Sequence, residues 1–306
     1  MKLQKTALVA CAALTLLATA ACGKEGSPDD AGSSKKPGGS NAPKAPAYKV
    51  NTAADLKGSP VWEKIKGKKI TIGTKADQPG LGFENPGTKE RTGFDIEIAR
   101  MIAADLGFDK DHIVFKTVPS EARETQISSG GVDLYVGTYT INDERKKQID
   151  FGGPYYVAGQ DLLVKKDSSA KGPEDLKGKK VCSATGSTSL ERIKDKKYGV
   201  KEAKAQQGYQ LCVQDLVNGT VDAVTTDDAI LKGYAAQNAG ALKVVGNPFS
   251  EEPYGVGLKK GDKVLREAVN KALEAHEKSG DWKKAYDATL GLSGAAAPTP
   301  PQIVRY

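Results

Sequence analysis

The chain has 306 residues, 39% of them hydrophobic and 27% charged. That composition excludes collagen-like, coiled-coil and multi-span membrane classes, and at roughly 150 residues per domain the length leaves room for two lobes. The net charge of +7 is no nucleic-acid footprint: residues 1–50 carry seven Lys against three acids, and beyond them Asp and Glu are interspersed among the Lys. A nucleic-acid surface needs a concentrated basic stripe, so no such partner is expected. Two histidines argue against a His-based metal or proton-shuttle enzyme.

Lys2 and Lys5 precede an apolar run from Ala7 to Ala21. That run is shorter than the roughly 20 residues a membrane span needs and suits a signal peptide, here residues 1–21. It ends in Thr19-Ala20-Ala21-Cys22-Gly23, which resembles a bacterial lipobox, although Thr19 stands where Leu or Val is usual. On that reading Cys22 is the acylated, palmitate-bearing residue. Several chains on one Cys would anchor the protein stably to the outer face of the cytoplasmic membrane. The alternative is ordinary cleavage near Ala20–Ala21, leaving an incidental Cys. Residues 22–51 are mostly Gly, Ser, Pro, Ala, Lys and Asp, with almost nothing apolar, and read as a flexible tether.

In the folded body, Lys69–Thr74 alternates β-branched residues and ends at a Gly–Thr step, a strand. A Gly-rich loop follows. Phe94, Ile98, Met101, Ile102 and Leu106 fall at helical spacing and Gly107 closes that helix. Ile113–Phe115 reads as a strand, Glu121–Ser129 as a short helix and Val132–Val136 as a third strand. Asp161–Val164 begins a second series. Asp175-Leu176-Lys177-Gly178 and Lys179-Lys180-Val181 echo Asp55-Leu56-Lys57-Gly58 and Lys68-Lys69-Ile70. Helices over 187–196 and 210–218 and strands over 222–225 and 244–245 follow. A final amphipathic helix places Leu265, Ala268, Val269, Ala272, Leu273 and His276 on one face.

This pattern predicts an α/β protein of two lobes. The first lobe takes residues 52–155 and the second 156–248. The chain then returns to the first over 249–292, with crossings near Tyr155–Gly159 and Asn247–Pro253. The Ala/Pro-rich residues 293–306 read as a loose tail. Cys11 leaves with the signal, so Cys182 and Cys212 remain as the pair in an exported chain. A disulfide is expected, two separate buried thiols being the alternative.

Catalytic signatures are lacking. There is no Gly-x-Ser-x-Gly, no His-Glu-x-x-His and no Cys/His zinc spacing. Gly172 to Gly178-Lys179 imitates a phosphate-binding loop, but it has five intervening residues instead of four and Lys180 where Ser or Thr is required. Binding without catalysis is the better expectation, with no metal and no cofactor.

Gly93-Phe94-Asp95-Ile96-Glu97-Ile98-Ala99-Arg100 resembles the signature of the polar amino-acid family of ABC-transporter solute-binding proteins. Thr138-Tyr139-Thr140-Ile141-Asn142-Asp143-Glu144-Arg145, with Ile149-Asp150-Phe151 and Pro154-Tyr155-Tyr156, resembles its second hallmark. Gly186-Ser187-Thr188 and Asp222–Asp227 resemble its second-lobe contacts, and Gly73–Gly82 looks like the actinobacterial glutamate-uptake lipoproteins. The likeness spans about 70–290. It implies a type II periplasmic-binding-protein-like fold: each lobe is a sheet flanked by helices, with two crossover segments. It also implies a monomer that captures free L-glutamate or a related polar amino acid and delivers it to an ABC permease and its ATPase. Aspartate, glutamine and asparagine are rival ligands. A dehydratase on the same fold and a ligand-sensing domain are the rival classes.

The resemblance also assigns the site. Arg145 would take the α-carboxylate as a bidentate fork. Thr140 would assist through its hydroxyl and amide, and the Thr138 carbonyl would face the ammonium. Ser187 and Thr188 would offer amide and hydroxyl donors near a helix start, and Asp227 would pair with the ammonium. Ser120-x-x-Arg123 resembles acidic amino-acid binders, in which the Arg meets the distal carboxylate. Lys75 stands where a glutamine binder carries Asp. Phe83 and Tyr139 are the candidates for stacking on the ligand.

Overall fold

The computed structural model describes residues 44–306, so the expected signal peptide and Cys22 lie outside the described residues. In chain order the elements begin with α1 (Pro60–Ile65), β1 (Ile70–Thr74) and a ribbon of β2 (Asp77–Gln78), β3 (Gly82–Glu84) and β4 (Arg91–Thr92). There follow α2 (Phe94–Asp105), β5 (Ile113–Thr117), α3 (Arg123–Ser128), β6 (Leu134–Tyr135), α4 (Asp143–Lys146), β7 (Asp150–Ala158) and β8 (Gln160–Lys165). Next come β9 (Lys180–Ala184), α5 (Thr188–Ile193), β10 (Glu202–Gln206), α6 (Tyr209–Val217), β11 (Ala223–Asp227), α7 (Asp228–Gln237) and β12 (Leu242–Val244). The series closes with β13 (Glu252–Leu258), α8 (Lys263–Ser279) and α9 (Asp281–Asp287).

Two five-stranded sheets organise these elements, in the orders β5-β1-β6-β13-β7 and β10-β9-β11-β8-β12. In each, three neighbouring strands run parallel and the other two pair antiparallel. The Lys-rich echo in the sequence leads into β1 and β9, which hold the same place, second from one edge, in the two sheets. The chain passes between sheets at Gly159 and again between β12 and β13. The passages touch: the Phe249 N–H donates to the Gln160 carbonyl and the Gln160 N–H to Ser250 Oγ.

The helices that back the first sheet form where the periodicity places them. α2 buries Phe94, Ile98, Met101 and Ile102 against β1, α8 and α9. α8 buries Leu265, Val269, Ala272 and Leu273; the Asp262 side chain caps its start and Gly280, in the left-handed region, ends it. His276, on the same face, is buried beside Asp105 and Asp281. Phe94, Tyr155, Tyr156, Tyr254, Trp282 and Tyr286 pack ring against ring at the heart of this lobe. In the second lobe Cys182 of β9 and Cys212 of α6 are joined by a disulfide.

Several elements were not visible in the periodicity. β7 contains Gly152-Gly153-Pro154, which reads as a break. Yet Gly152 is there because a Cβ at that position would lie 2.6 Å from Val269 Cγ1 of α8. The β2–β4 ribbon, β10, α7 and α9 were likewise unread. The described end of the expected tether and the end of the expected tail are both docked. Tyr48, assigned to the tether, donates its hydroxyl proton to Glu97 at 3.0 Å and packs edge-on against His276, while the Asn51 N–H reaches the Ala104 carbonyl. At the other end Arg305 clamps Glu267 and Glu274 of α8, the Val304 N–H donates to Gly153, and Tyr306 Oη accepts from the Phe151 N–H. Residues 303–306 therefore cover β7, the edge of the first sheet, and satisfy backbone groups that a bare edge would leave open.

A charged cleft between the two sheets

The site lies beyond the C-terminal ends of the parallel strands, where α/β sheets place ligands. From the first lobe, Lys75 follows β1, Ser120 and Arg123 follow β5, Thr138 to Thr140 follow β6, and Arg145 sits on α4. From the second, Ser187 and Thr188 follow β9, Tyr209 follows β10 and Asp227 ends β11.

Three basic groups converge. Lys75 Nζ donates to Ser120 Oγ at 2.7 Å. Arg123 donates through Nε to the Ser120 carbonyl (2.9 Å) and through a terminal nitrogen to the Gly186 carbonyl of the other lobe (3.0 Å). Arg145 donates to the Thr140 carbonyl (2.7 Å) and to the same Gly186 carbonyl (3.3 Å), with Glu124 3.4 Å from its Nε. Both guanidinium groups lie over the Tyr139 ring, at 4.2 and 4.8 Å from its centroid. Burial, then the neighbouring Arg123, pushes Lys75 down to about 7 and Arg145 down to about 10.

Gly186 makes this convergence possible. It has φ +75°, and a Cβ there would stand 2.6 Å from Glu121 Cα across the cleft. Only a glycine lets the second lobe's carbonyl come between the two arginines.

Opposite them, Asp227 is buried. Its Oδ2 accepts from Tyr254 Oη at 2.6 Å, and Oδ1 has no hydrogen-bond partner among the described residues. Burial first, then the Glu252 carboxylate, raises it to about 7. An acceptor so exposed to desolvation lacks a donor or a cation.

The Thr138 loop is held in an uncommon conformation, φ +47° for a β-branched residue. Asp95 of the Gly93-Phe94-Asp95 signature braces it. Its carboxylate accepts from the Thr138 N–H (3.1 Å) and from Tyr155 Oη (2.7 Å), and burial raises it to about 6. Thr138 Oγ1 donates to Gln78, whose Nε2 has no partner among the described residues. Asp77 reaches across to the second lobe, accepting from the Tyr209 N–H at 3.1 Å and, through its carbonyl, from Tyr234 Oη at 2.5 Å.

Ten of the eleven expected binding residues thus line or brace one cleft. Phe83 is the exception: half-buried in β3, it pairs with Asp77 and Thr92 and makes no aromatic or cation–π pair among the described residues. Tyr139 is wholly buried under the two arginines, so its ring supports those cations. Ser187 caps α5 through its Oγ, and Thr140 and Thr188 donate their hydroxyl protons to Glu252. Sequence reading missed Glu252, Asp77, Gln78 and Tyr254. Asp77 and Gln78 stand inside the Gly73–Gly82 stretch and Glu252 inside the Asn247–Pro253 crossing, but no residue type there marked them as ligand contacts.

A cavity of about 320 Å³ opens beside Lys75 and Ser120, walled by Asp77, Val118, Gln207 and Gln210. A similar groove of about 330 Å³ lies between Tyr156, Tyr286 and Leu290, with Lys232 as the charged residue of its wall.

The comparisons with known proteins agree with this geometry. The family model of bacterial extracellular solute-binding proteins, family 3, matches residues 70–291. The chain is 41% identical over 238 residues to the glutamate-binding protein GluB of Corynebacterium efficiens, covering 74% of this chain and 80% of the relative. It is 37% identical over 288 residues to the ABC transporter glutamine-binding protein GlnH of Bacillus subtilis, covering 93% and 96%. A solved ancestral arginine-binding protein bound to glutamine superposes with a TM-score of 0.68 at 40% identity, over 73% of this chain and 98% of that one. With its two mixed sheets, its interlobe cleft and these relatives, the chain belongs to the family-3 bacterial extracellular solute-binding proteins.

Proposed function

We propose that this protein captures L-glutamate and delivers it to an ABC permease and its ATPase, acting as a binding protein without catalytic activity. The observation that carries the reading is the division of charge across the cleft. Lys75, Arg123 and Arg145 converge on one side, and Asp227, with an unpartnered oxygen, lies on the other. A ligand with two carboxylates and one ammonium complements that set. Arg145 takes the α-carboxylate, Asp227 the ammonium, and Arg123 with Lys75 the distal carboxylate. The names of the relatives, glutamate-binding and glutamine-binding, are consistent with a ligand of this size.

Glutamine is the second reading. It is favoured by the depression of Lys75 to about 7, which leaves much of that group neutral near neutral pH. Charge must separate the two ligands because they are nearly isosteric. A hydrogen bond to a charged group is worth about 1.5–3 kcal/mol against about 0.5–1.5 for a neutral one, a difference that allows roughly tenfold discrimination. Isothermal titration is expected to rank glutamate above glutamine, aspartate and asparagine. Arg123→Gln is expected to weaken glutamate about tenfold while sparing glutamine. A wild type that prefers glutamine would overturn the choice of ligand. Equal losses for both ligands in Arg123→Gln would make Arg123 a brace for Tyr139 and Gly186.

The reading includes attachment through a lipid on Cys22, at the outer face of the cytoplasmic membrane. Cys22→Ser is then expected to leave the protein soluble or unprocessed, which membrane fractionation reads directly.

A further inference from the structure

Glu252 opens β13 at the second passage between the sheets, and its side chain is fully buried. Groups from both lobes and from the passage itself converge on its carboxylate. Oε2 accepts from Thr140 Oγ1 at 2.8 Å, from the first lobe, and from Thr188 Oγ1 at 2.9 Å, from the second. Oε1 accepts from Ser250 Oγ at 2.8 Å and pairs with an Arg192 guanidinium nitrogen at 2.7 Å. Its charge also acts on Asp227.

The donor arithmetic has a consequence. A hydroxyl has one proton to donate, and an ionised carboxylate has none. With Arg192 paired to Oε1, the protons of Thr140 and Thr188 are both directed at Oε2 and so committed to Glu252. What these hydroxyls can turn toward the cleft is lone pairs. Lone pairs attract an ammonium and repel a carboxylate. We infer that Glu252 is a positioning residue for ligand capture: it converts the two threonine hydroxyls into acceptors and so orients the zwitterion. The ammonium is then placed beside Asp227 and Thr140, and the α-carboxylate is left to Arg145 and backbone N–H groups. This reverses the sequence-based expectation that the Thr140 and Thr188 hydroxyls donate to the α-carboxylate. The inference rests on the amino-acid reading above, but not on the choice between glutamate and glutamine, because Glu252 acts on the end the two ligands share.

A double-mutant cycle tests it. Glu252→Gln keeps the shape but offers N–H donors to the hydroxyls. Alone it is expected to weaken glutamate and glutamine by the same factor, at least tenfold. In a Thr140→Val background, where the hydroxyl argued to face the ammonium is gone and only Thr188 remains to orient, the same change is expected to cost several-fold less than in the wild type. Thr140→Ser, which keeps the hydroxyl, is expected to bind within threefold of wild type. Should Glu252→Gln fail to fold, Arg192→Met, at a partly exposed position, loosens the same carboxylate and is expected to show the same loss and the same dependence on Thr140. Equal costs with and without the Thr140 hydroxyl would make Glu252 a structural clasp only and overturn the inference, as would no loss at all. A wild type that binds no polar amino acid would overturn the reading beneath it, a result distinguishable because it needs no variant.

Discussion

In the first sheet β5, β1 and β6 run parallel beside the antiparallel β13 and β7; in the second, β10, β9 and β11 run parallel beside the antiparallel β8 and β12. Matching strands carry the proposed binding residues at matching ends. What they carry differs. The first lobe brings Lys75, Arg123 and Arg145 to the cleft, and the second brings Asp227 and the Gly186 carbonyl. They are also held together differently. The first lobe packs six aromatic rings around Phe94 and Tyr155, and the second adds a disulfide between β9 and α6. One architecture used twice supplies two walls, and on the proposed function the charge on each wall selects the end of a zwitterion it meets.

The strongest way to break that division is to remove one wall's principal charge. Arg145→Ala is expected to weaken ligand binding at least 100-fold, since losing one partner of a buried charged pair costs about 3–5 kcal/mol. Asp227→Ala is expected to match it from the other wall, and Asp227→Asn to do less because an acceptor oxygen survives. Calorimetry showing less than a tenfold loss in Arg145→Ala would remove that residue from the binding role.

Contact between the walls is tested at Gly186. Gly186→Ala places a methyl group 2.6 Å from Glu121 Cα, whereas Gly178→Ala, at nearly the same positive φ, meets nothing within 4 Å. Each is expected to cost about 1–2 kcal/mol of stability from the left-handed backbone. Only Gly186→Ala is expected to weaken ligand binding, by tenfold or more. Equal affinities in the two variants would mean that the lobes bind ligand without the approach seen here.

The pH dependence of binding sharpens the comparison, because each limb belongs to one lobe. Lys75, depressed to about 7, must be protonated to hold a carboxylate. Ligand raises its pKa, so affinity is full below about 7 and falls as pH rises. Asp227, raised to about 7, must be ionised to hold an ammonium. Ligand lowers its pKa, so affinity is full above about 7 and falls as pH drops. The profile is expected to peak near neutrality, each limb changing at most about tenfold per pH unit. Lys75→Met is expected to remove the alkaline limb and Asp227→Asn the acidic one.

The smallest effect on binding is expected from the disulfide. The loop it closes spans 30 residues, worth about 3.5–4 kcal/mol in the chain-entropy account. Cys182→Ser with Cys212→Ser is expected to lower the denaturant midpoint of the second lobe while leaving affinity within threefold. A large affinity loss would tie the bond to the cleft rather than to the lobe.

The sequence by itself determined the elements whose signals are local: the strand at β1, the periodic helix α2 with its closing Gly107, and the periodic helix α8; it made the Cys182–Cys212 bond the expectation that the structure bears out. Its resemblance to the solute-binding family marked Arg145, Arg123, Lys75 and Asp227 as candidates for the two ends of an amino acid. Only the tertiary structure decided what depends on distant partners. β7 reads as a break until α8 is seen to need Gly152 bare of a side chain. Tyr48 and Arg305 stand in stretches whose composition suits a tether and a tail, and they dock because Glu97, Glu267 and Glu274 wait on α2 and α8. Tyr139, expected on the ligand, lies under two guanidinium groups brought from separate strands. Glu252 could not be singled out by spacing at all. Its meaning comes from Thr140, 112 residues away, and Thr188, 64 residues away, both of which direct their protons to it. Periodicity and capping act within a few residues and can be read along the chain, whereas a buried carboxylate takes its role from whichever donors the folded chain gathers around it.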